Sequence, residues 1–201
     1  MPLTPTNLMA YCTNTQVKTY LNVTSTSDDT LITTLIARAQ AVIDTHTKRT
    51  FESSTDTREF TVGVDTEGRV LFFDEDIITI TTVTSNADST SSTTISSTEY
   101  ITKPRNRTPY YGLEIKKSVN KDWTFENDPE SGITVAGDWA YSTAPPDDIV
   151  HACIRLSSYY YRQKDSQVFA DVGIEDAGQI TVPLSIPEDV RAVLLPYIKN
   201  V

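Results

Sequence analysis

Three consecutive acids, Asp74-Glu75-Asp76, form the longest run of carboxylate side chains in the sequence. Such carboxylates can move a proton or ligate Ca²⁺. No nucleophile motif, P-loop, dinucleotide glycine pattern or metal-ligand spacing accompanies them, so a charged turn between two strands is the better reading. His151 has Asp147 four residues before it and Arg155 four after, which suits a solvated or intersubunit ion network better than catalysis. His46 falls on the apolar face of a helix near its C-terminus, as a core or dipole-facing histidine would, with no second His or Cys at metal spacing. Lys103, Arg105 and Arg107 make a basic loop able to touch a partner protein or DNA. Cys12 and Cys153 lack metal spacing, and Cys153 reads as a buried free thiol in a chain suited to a reducing cytosol. These residues assign no catalytic group, no metal ligand and no cofactor.

The elements that must carry these side chains come next. A chain of 201 residues is long enough to fold as one domain, or as one domain with a sizeable insertion. Its net charge of −10 argues against tight nucleic-acid binding, because phosphate contacts need a surplus of Lys and Arg. The sequence contains no apolar run long enough for a membrane span, and its start lacks the pattern of a secretion signal.

Residues 1–14 read as a polar arm. Thr15 to Leu21 makes a short helix with Thr13 or Asn14 as cap, ending at Asn22. Ser27 is the natural N-cap of a second helix running Asp28 to Thr47, with Leu31, Ile32, Leu35, Ile36, Ala39, Val42 and Ile43 on one face. From Thr55 the pattern turns to strands: Arg58 to Val64 and Arg69 to Phe73 as a hairpin around Asp65-Thr-Glu-Gly68, then Ile77 to Ser85, Tyr100 to Thr102, Tyr110 to Lys117 and Ile133 to Ala136. Ser85 to Thr98 is a mobile loop or an exposed Thr-rich hairpin. Gly137-Asp-Trp139 reads as a turn, and Pro145-Pro-Asp-Asp148 starts a long helix, Ile149 to about Lys164. Asp165 to Val182 carries no period and reads as a functional or disordered loop. A last helix starts at Pro187 and kinks or stops at Pro196. The fold class expected is α+β: a helical frame with an inserted antiparallel β region. The expected divisions are 1–54 (arm and helices), 55–137 (β-rich insertion) and 138–201 (helices completing a domain with 15–54).

The long helix is unusual. At 100° per residue its apolar side chains, Ile149 through Tyr161, spread over roughly 220°, against the ~100° of a surface helix. The polar remainder is a strip of Asp147, Asp148, His151, Arg155, Ser158 and Arg162. So wide an arc needs two apolar partners: the domain's own core, and either another helix of the chain or a neighbouring subunit.

Three stretches together resemble the head–tail connector (adaptor) proteins of tailed bacteriophages. In the first, Tyr20-Leu21, a polar spacer and Asp28-Asp29 lead into the Leu31/Ile32/Leu35/Ile36 helix and on to Thr50-Phe51. In the second, a strand with Gly137 and Trp139 runs into the Pro-Pro-Asp-Asp-Ile helix and its tyrosines. The third is the closing Pro187-x-Asp-Val…Leu-Leu-Pro-Tyr-Ile helix. The matches cover roughly half the chain, and the long β insertion departs from the shortest, nearly all-helical members.

The resemblance implies a structural virion protein rather than an enzyme. It would stand as a ring of twelve copies beneath the portal, contacting the portal protein on one side and neck, tail-terminator or tail proteins on the other. Genomic DNA would pass through the lumen without specific binding, and an acidic lumen would ease that passage. The location implied is the virion neck, with assembly in the host cytoplasm and no membrane contact. Val150, Ile154, Arg155, Tyr161 and Arg162 are the expected subunit interface. Asp165, Phe169, Ile174, Tyr197 and Val201 are the expected docking loop and tail. The other reading weighed is a β-rich binding or adhesion module of a virion tail or cell surface.

Overall fold

A computed structural model describes residues 10–166 and 186–199. The chain divides into a helical unit, Met1–Lys48 with Pro145–Val201, and a β unit, Arg49–Ala144. The fold is α+β.

In the helical unit, α1 (Asn14–Leu21) opens with a capping box. The Thr13 side chain accepts from the Gln16 N–H while the Gln16 side chain accepts from the Thr13 N–H, and Asn22 closes the helix in the left-handed region at φ 57°. The next helix, α2 (Asp29–Thr47), buries Ile32, Ile36, Ala39, Ile43 and Thr47 along one stripe. Each isoleucine taken out of water there contributes about 2 kcal/mol. Leu31, expected on that face, is exposed. Ser27 is not the cap: Asp28 holds the N-cap position, and its side chain makes no capping hydrogen bond. The Asp28 carboxylate turns instead to Tyr161 and Lys164.

The long helix, α3 (Asp147–Ser166), begins at the two acids that favour a positive helix end. It buries Ile149, Ala152, Cys153, Leu156 and Tyr160. A short α4 (Glu188–Leu194) buries Val190 and Leu194 and passes into a 3-10 turn, Leu195–Tyr197, at Pro196, where the missing N–H ends the α pattern. The Lys199 N–H then donates to the Thr47 carbonyl at 2.9 Å, satisfying an otherwise open group at the end of α2.

The β unit is a seven-stranded antiparallel sheet ordered β1-β7-β3-β6-β5, with β2 and β4 each paired to β3. Its strands are β1 (Ser54–Phe60), β2 (Thr66–Glu67), β3 (Val70–Ser85), β4 (Thr93–Thr94), β5 (Tyr100–Lys103), β6 (Tyr110–Ile115) and β7 (Ile133–Trp139). The expected hairpin of Arg58–Val64 with Arg69–Phe73 does not form. β1 pairs along its whole length with β7, from Ser54↔Trp139 to Phe60↔Ile133, so the two ends of the unit lie side by side. Tyr141 N–H closes that seam on the Thr50 carbonyl at 2.8 Å.

The acids 74–76 are not a turn. Residues 70–85 form one bent strand whose register slips between Phe72 and Ile77, and the acids occupy the slip. Nor is Gly137-Asp-Trp139 a turn. It continues β7, and a Cβ at Gly137 would lie 2.1 Å from the Thr79 carbonyl oxygen, so only glycine lets the irregular β3 pass so close. The Ser/Thr-rich stretch forms a short pairing, Thr93–Thr94 with Thr84–Ser85, and buries Ile95 beneath it. The core gathers Phe60, Phe73 and Trp139, with ring centroids 5.5 to 6.0 Å apart, around Leu71, Ile77, Val83, Leu113, Ile133 and Val135.

Candidate assembly interface

The side chains of α3 sort by angle. Ile149, Ala152, Cys153, Leu156 and Tyr160 point into the unit, while Val150, Ile154 and Tyr161 form a half-buried stripe at i, i+4 and i+11. Segments of the same chain cover much of the helix. Cys12 Sγ lies 3.3 Å from Cys153 Sγ, with both thiols buried and reduced. Their contact, and then burial, pushes the Cys153 thiol far above its ordinary range. The Arg38 guanidinium sits 4.4 Å above the Tyr160 ring. Burial raises the Tyr160 hydroxyl's pKa against the opposing pull of Arg38.

Tyr161 donates to the Asp28 carboxylate, to which Lys164 also donates at 2.7 Å while standing 4.2 Å over the Tyr161 ring. The Lys164 ammonium first, and then the Tyr161 hydroxyl, hold Asp28 below the usual carboxylate range. Tyr161 therefore spends its polar end inside its own chain.

The polar strip of α3 is partly covered within its own unit. Ser158 is only 3% exposed. Arg155 donates to the Tyr20 hydroxyl at 2.6 Å and forms an ion pair with Asp189, because the ends of α1 and α4 close over this side of α3. These partners raise the Arg155 pKa, Tyr20 first, and Arg155 in turn lowers that of Asp189. His151 is exposed and meets the edge of Tyr20, ring centroids 6.5 Å apart. Arg162 is exposed.

Of the expected docking residues, Tyr197 is half-buried and donates to the Asp148 carboxylate at 3.3 Å. Phe169, Ile174 and Val201 lie outside the described residues. Asp165 belongs to the last turn of α3, and its side chain is likewise outside them.

Among the described residues, the large apolar side chains exposed on the helical unit are Leu195 at 66%, Tyr20 at 40% and Leu31 at 37%, none of which the sequence reading assigned to an interface. Periodicity could have flagged Leu195, which follows Leu194 where Pro196 breaks the helix.

In the β unit, Arg49 pairs with buried Asp76, and Arg58 pairs with Glu75 at 2.9 Å while lying 4.3 Å over the Trp139 ring. These pairings use the acids of 74–76 structurally. Lys103 pairs with Glu114 at 2.9 Å, while Arg105 and Arg107 are exposed. Among the described residues, no three His, Cys, Asp or Glu side chains gather in a metal-binding group, and no helix is long and apolar enough to cross a membrane.

No curated protein matches the sequence. In fold the chain is similar to a chain in the neck of an empty GTA particle computed with C6 symmetry (TM-score 0.59, 13% identity, covering 100% of this chain and 94% of that one). It is equally similar to a chain of the native gene transfer agent (GTA) virion (TM-score 0.59, 14% identity, 100% and 94%). A chain in the neck of the native GTA particle computed with C12 symmetry gives a TM-score of 0.52 at 14% identity, covering 96% and 94%. The sequence profile described as "Head completion protein" matches residues 10–200, which takes in both helical segments and the whole β unit, and the chain belongs to that family.

Proposed function

We propose that this protein is a head–tail connector of the virion neck: a structural subunit that assembles with its own copies into a ring beneath the portal and continues the channel toward the tail. The family match across nearly the whole chain carries this reading. The likeness to GTA neck chains supports it, and the C12 symmetry of one of those necks supports twelve copies. The role proposed is non-enzymatic.

The subunit contact is assigned to the α3 stripe of Val150, Ile154 and Tyr161 with Arg155 and Arg162, joined by the exposed apolar side chains of Leu195, Tyr20 and Leu31. Surfaces of this kind meet different surfaces on the next copy, and rotation then closes a ring. The portal protein on one side, neck or tail proteins on the other, and DNA passing an acidic lumen complete the proposal. The segment around Asp165, Phe169 and Ile174 and the end at Tyr197 and Val201 are its docking elements.

Electron microscopy of the purified protein, alone and after addition of portal-bearing heads, tests it. Annular particles, free or seated at the head vertex, are the expected result. Monomers that never join the vertex overturn the reading and favour a β-rich binding module.

A further inference from the structure

Cys12 stands just before Thr13, the cap of α1, and Cys153 stands in the first half of α3, 141 residues later, yet their sulfurs are 3.3 Å apart. Neighbouring contacts hold the pair face to face. Tyr11 donates its hydroxyl to the Asp44 carboxylate at 2.6 Å and its N–H to the Gln40 side chain at 3.3 Å, which pins the segment before α1 to α2. Cys153 lies on the inner face of a helix packed against both α1 and α2. The sequence has no third cysteine, so a single pairing exists within the chain. No His, Asp or Glu joins the two thiols in a metal-binding group among the described residues. The sulfurs are also unequal. The Cys153 thiol draws that of Cys12 below its ordinary range against the opposing effect of burial, whereas contact with Cys12 and then burial push Cys153 up. A sulfur that ionises readily beside one that stays protonated suits thiol–disulfide exchange.

We propose that Cys12 and Cys153 are a disulfide-forming pair, a modification site that clamps the segment before α1 onto α3 by exchange with a small-molecule disulfide such as oxidised glutathione. The Cys12 thiolate attacks one sulfur of the reagent, and the other sulfur leaves as a thiolate and takes up a proton. Cys153 then gives up its proton and attacks Cys12 in the mixed disulfide, releasing the second thiol. Two protein thiols lose two electrons in all, and one disulfide becomes two thiols. Closing the bond brings the sulfurs from 3.3 Å to about 2.0 Å. With Cys12 2% and Cys153 0% exposed, the reagent meets them while the chain folds or when residues 10–13 lift from α3. The fold then holds the finished bond and has no need to admit the reagent again. A virion protein leaves a reducing cell for an oxidising exterior, where reagents of this class persist. A cross-link between residues so far apart in sequence removes much of the freedom of the unfolded chain.

The test starts from the reduced, urea-unfolded full chain, so access to the buried sulfurs does not limit it. One portion is diluted into buffer to refold and one is left in urea, both in the same mixture of reduced and oxidised glutathione. At equilibrium the samples are quenched in acid and alkylated, and mass spectrometry counts the thiols and identifies the linked peptides. The ratio of Cys12–Cys153 disulfide to dithiol is expected to be at least tenfold higher in buffer than in urea. A smaller ratio overturns the proposal, as does a cross-link that joins two chains in place of one. The oxidised parent should melt about 5 °C or more above the reduced parent. Cys12→Ser should melt at the same temperature with and without oxidised glutathione. An oxidised parent that melts at or below the reduced one overturns the clamp, and this comparison needs no substitution that could disturb the fold.

Discussion

Gly137 shows how little room a single position can leave. Its backbone passes the irregular part of β3 so closely that a methyl group would collide with the Thr79 carbonyl and, at 2.7 Å, with Ile77. Gly137→Ala is expected to destabilise the β unit by about 3 kcal/mol, read from the urea midpoint. Asp28 acts through charge instead. Its pKa is depressed in the folded chain, so its contribution is fully present above the unfolded-state value, ~3.9, and is lost as pH falls through the lower folded value. Asp28→Asn should therefore melt below the parent at neutral pH. The gap should close as the pH drops below the ordinary carboxylate range, and a gap independent of pH would refute this account. At Cys12 and Cys153, burial hides the sulfurs, and the raised Cys153 pKa keeps that thiol protonated. Neither cysteine should react with an aromatic disulfide reagent until the protein unfolds, as thiol absorbance during a denaturant titration would show.

Among the elements, α1 depends on its cap more than on its short apolar face, which buries only Val17. Thr13→Ala is expected to cost about 1 kcal/mol, measurable by chemical denaturation. On α3 the outer stripe can be probed without disturbing the inner face. Ile154→Asp and Leu195→Asp should each abolish ring formation while leaving the circular dichroism spectrum and the monomer's melting temperature close to the parent's. Assembly that survives both changes would place the contact elsewhere. Tyr161→Asp is a poor probe, because it would set a second carboxylate beside Asp28 in place of a hydroxyl donor.

In the β unit, the Arg69 guanidinium gathers the carbonyls of Lys116, Val119 and Lys121 and the Asp122 carboxylate. The Asp88 carboxylate accepts from the backbone N–H groups of Glu126 and Asp128. These two side chains order stretches that have no ladder of their own.

For the whole molecule, the β unit enters and leaves the chain at one seam, between Ser54 and Trp139, and carries a core of its own. A fragment of residues 49–144 is expected to unfold cooperatively with native-like tryptophan fluorescence. A fragment lacking a cooperative transition would show that its core needs the rest of the chain. This arrangement explains how a head completion protein can carry a long insertion: an element whose ends adjoin interrupts its host at a single point.

Periodicity and capping chemistry in the sequence sufficed for the helices, the α+β class and the presence of an inserted β region. Those signals are local: apolar residues at 3.6 spacing, acids at helix starts and prolines at their ends repeat within a few turns. Other features needed the folded chain. The pairing of β1 with β7 joins residues far apart in sequence, and the merging of two expected strands across 74–76 depends on the neighbours on either side. The closing of Tyr20 and Asp189 over Arg155 and the burial of Ser158 likewise bring together groups from separate helices. Strand order, bulges and the covering of one helix by others are set by contacts between distant segments, which a one-dimensional pattern does not encode.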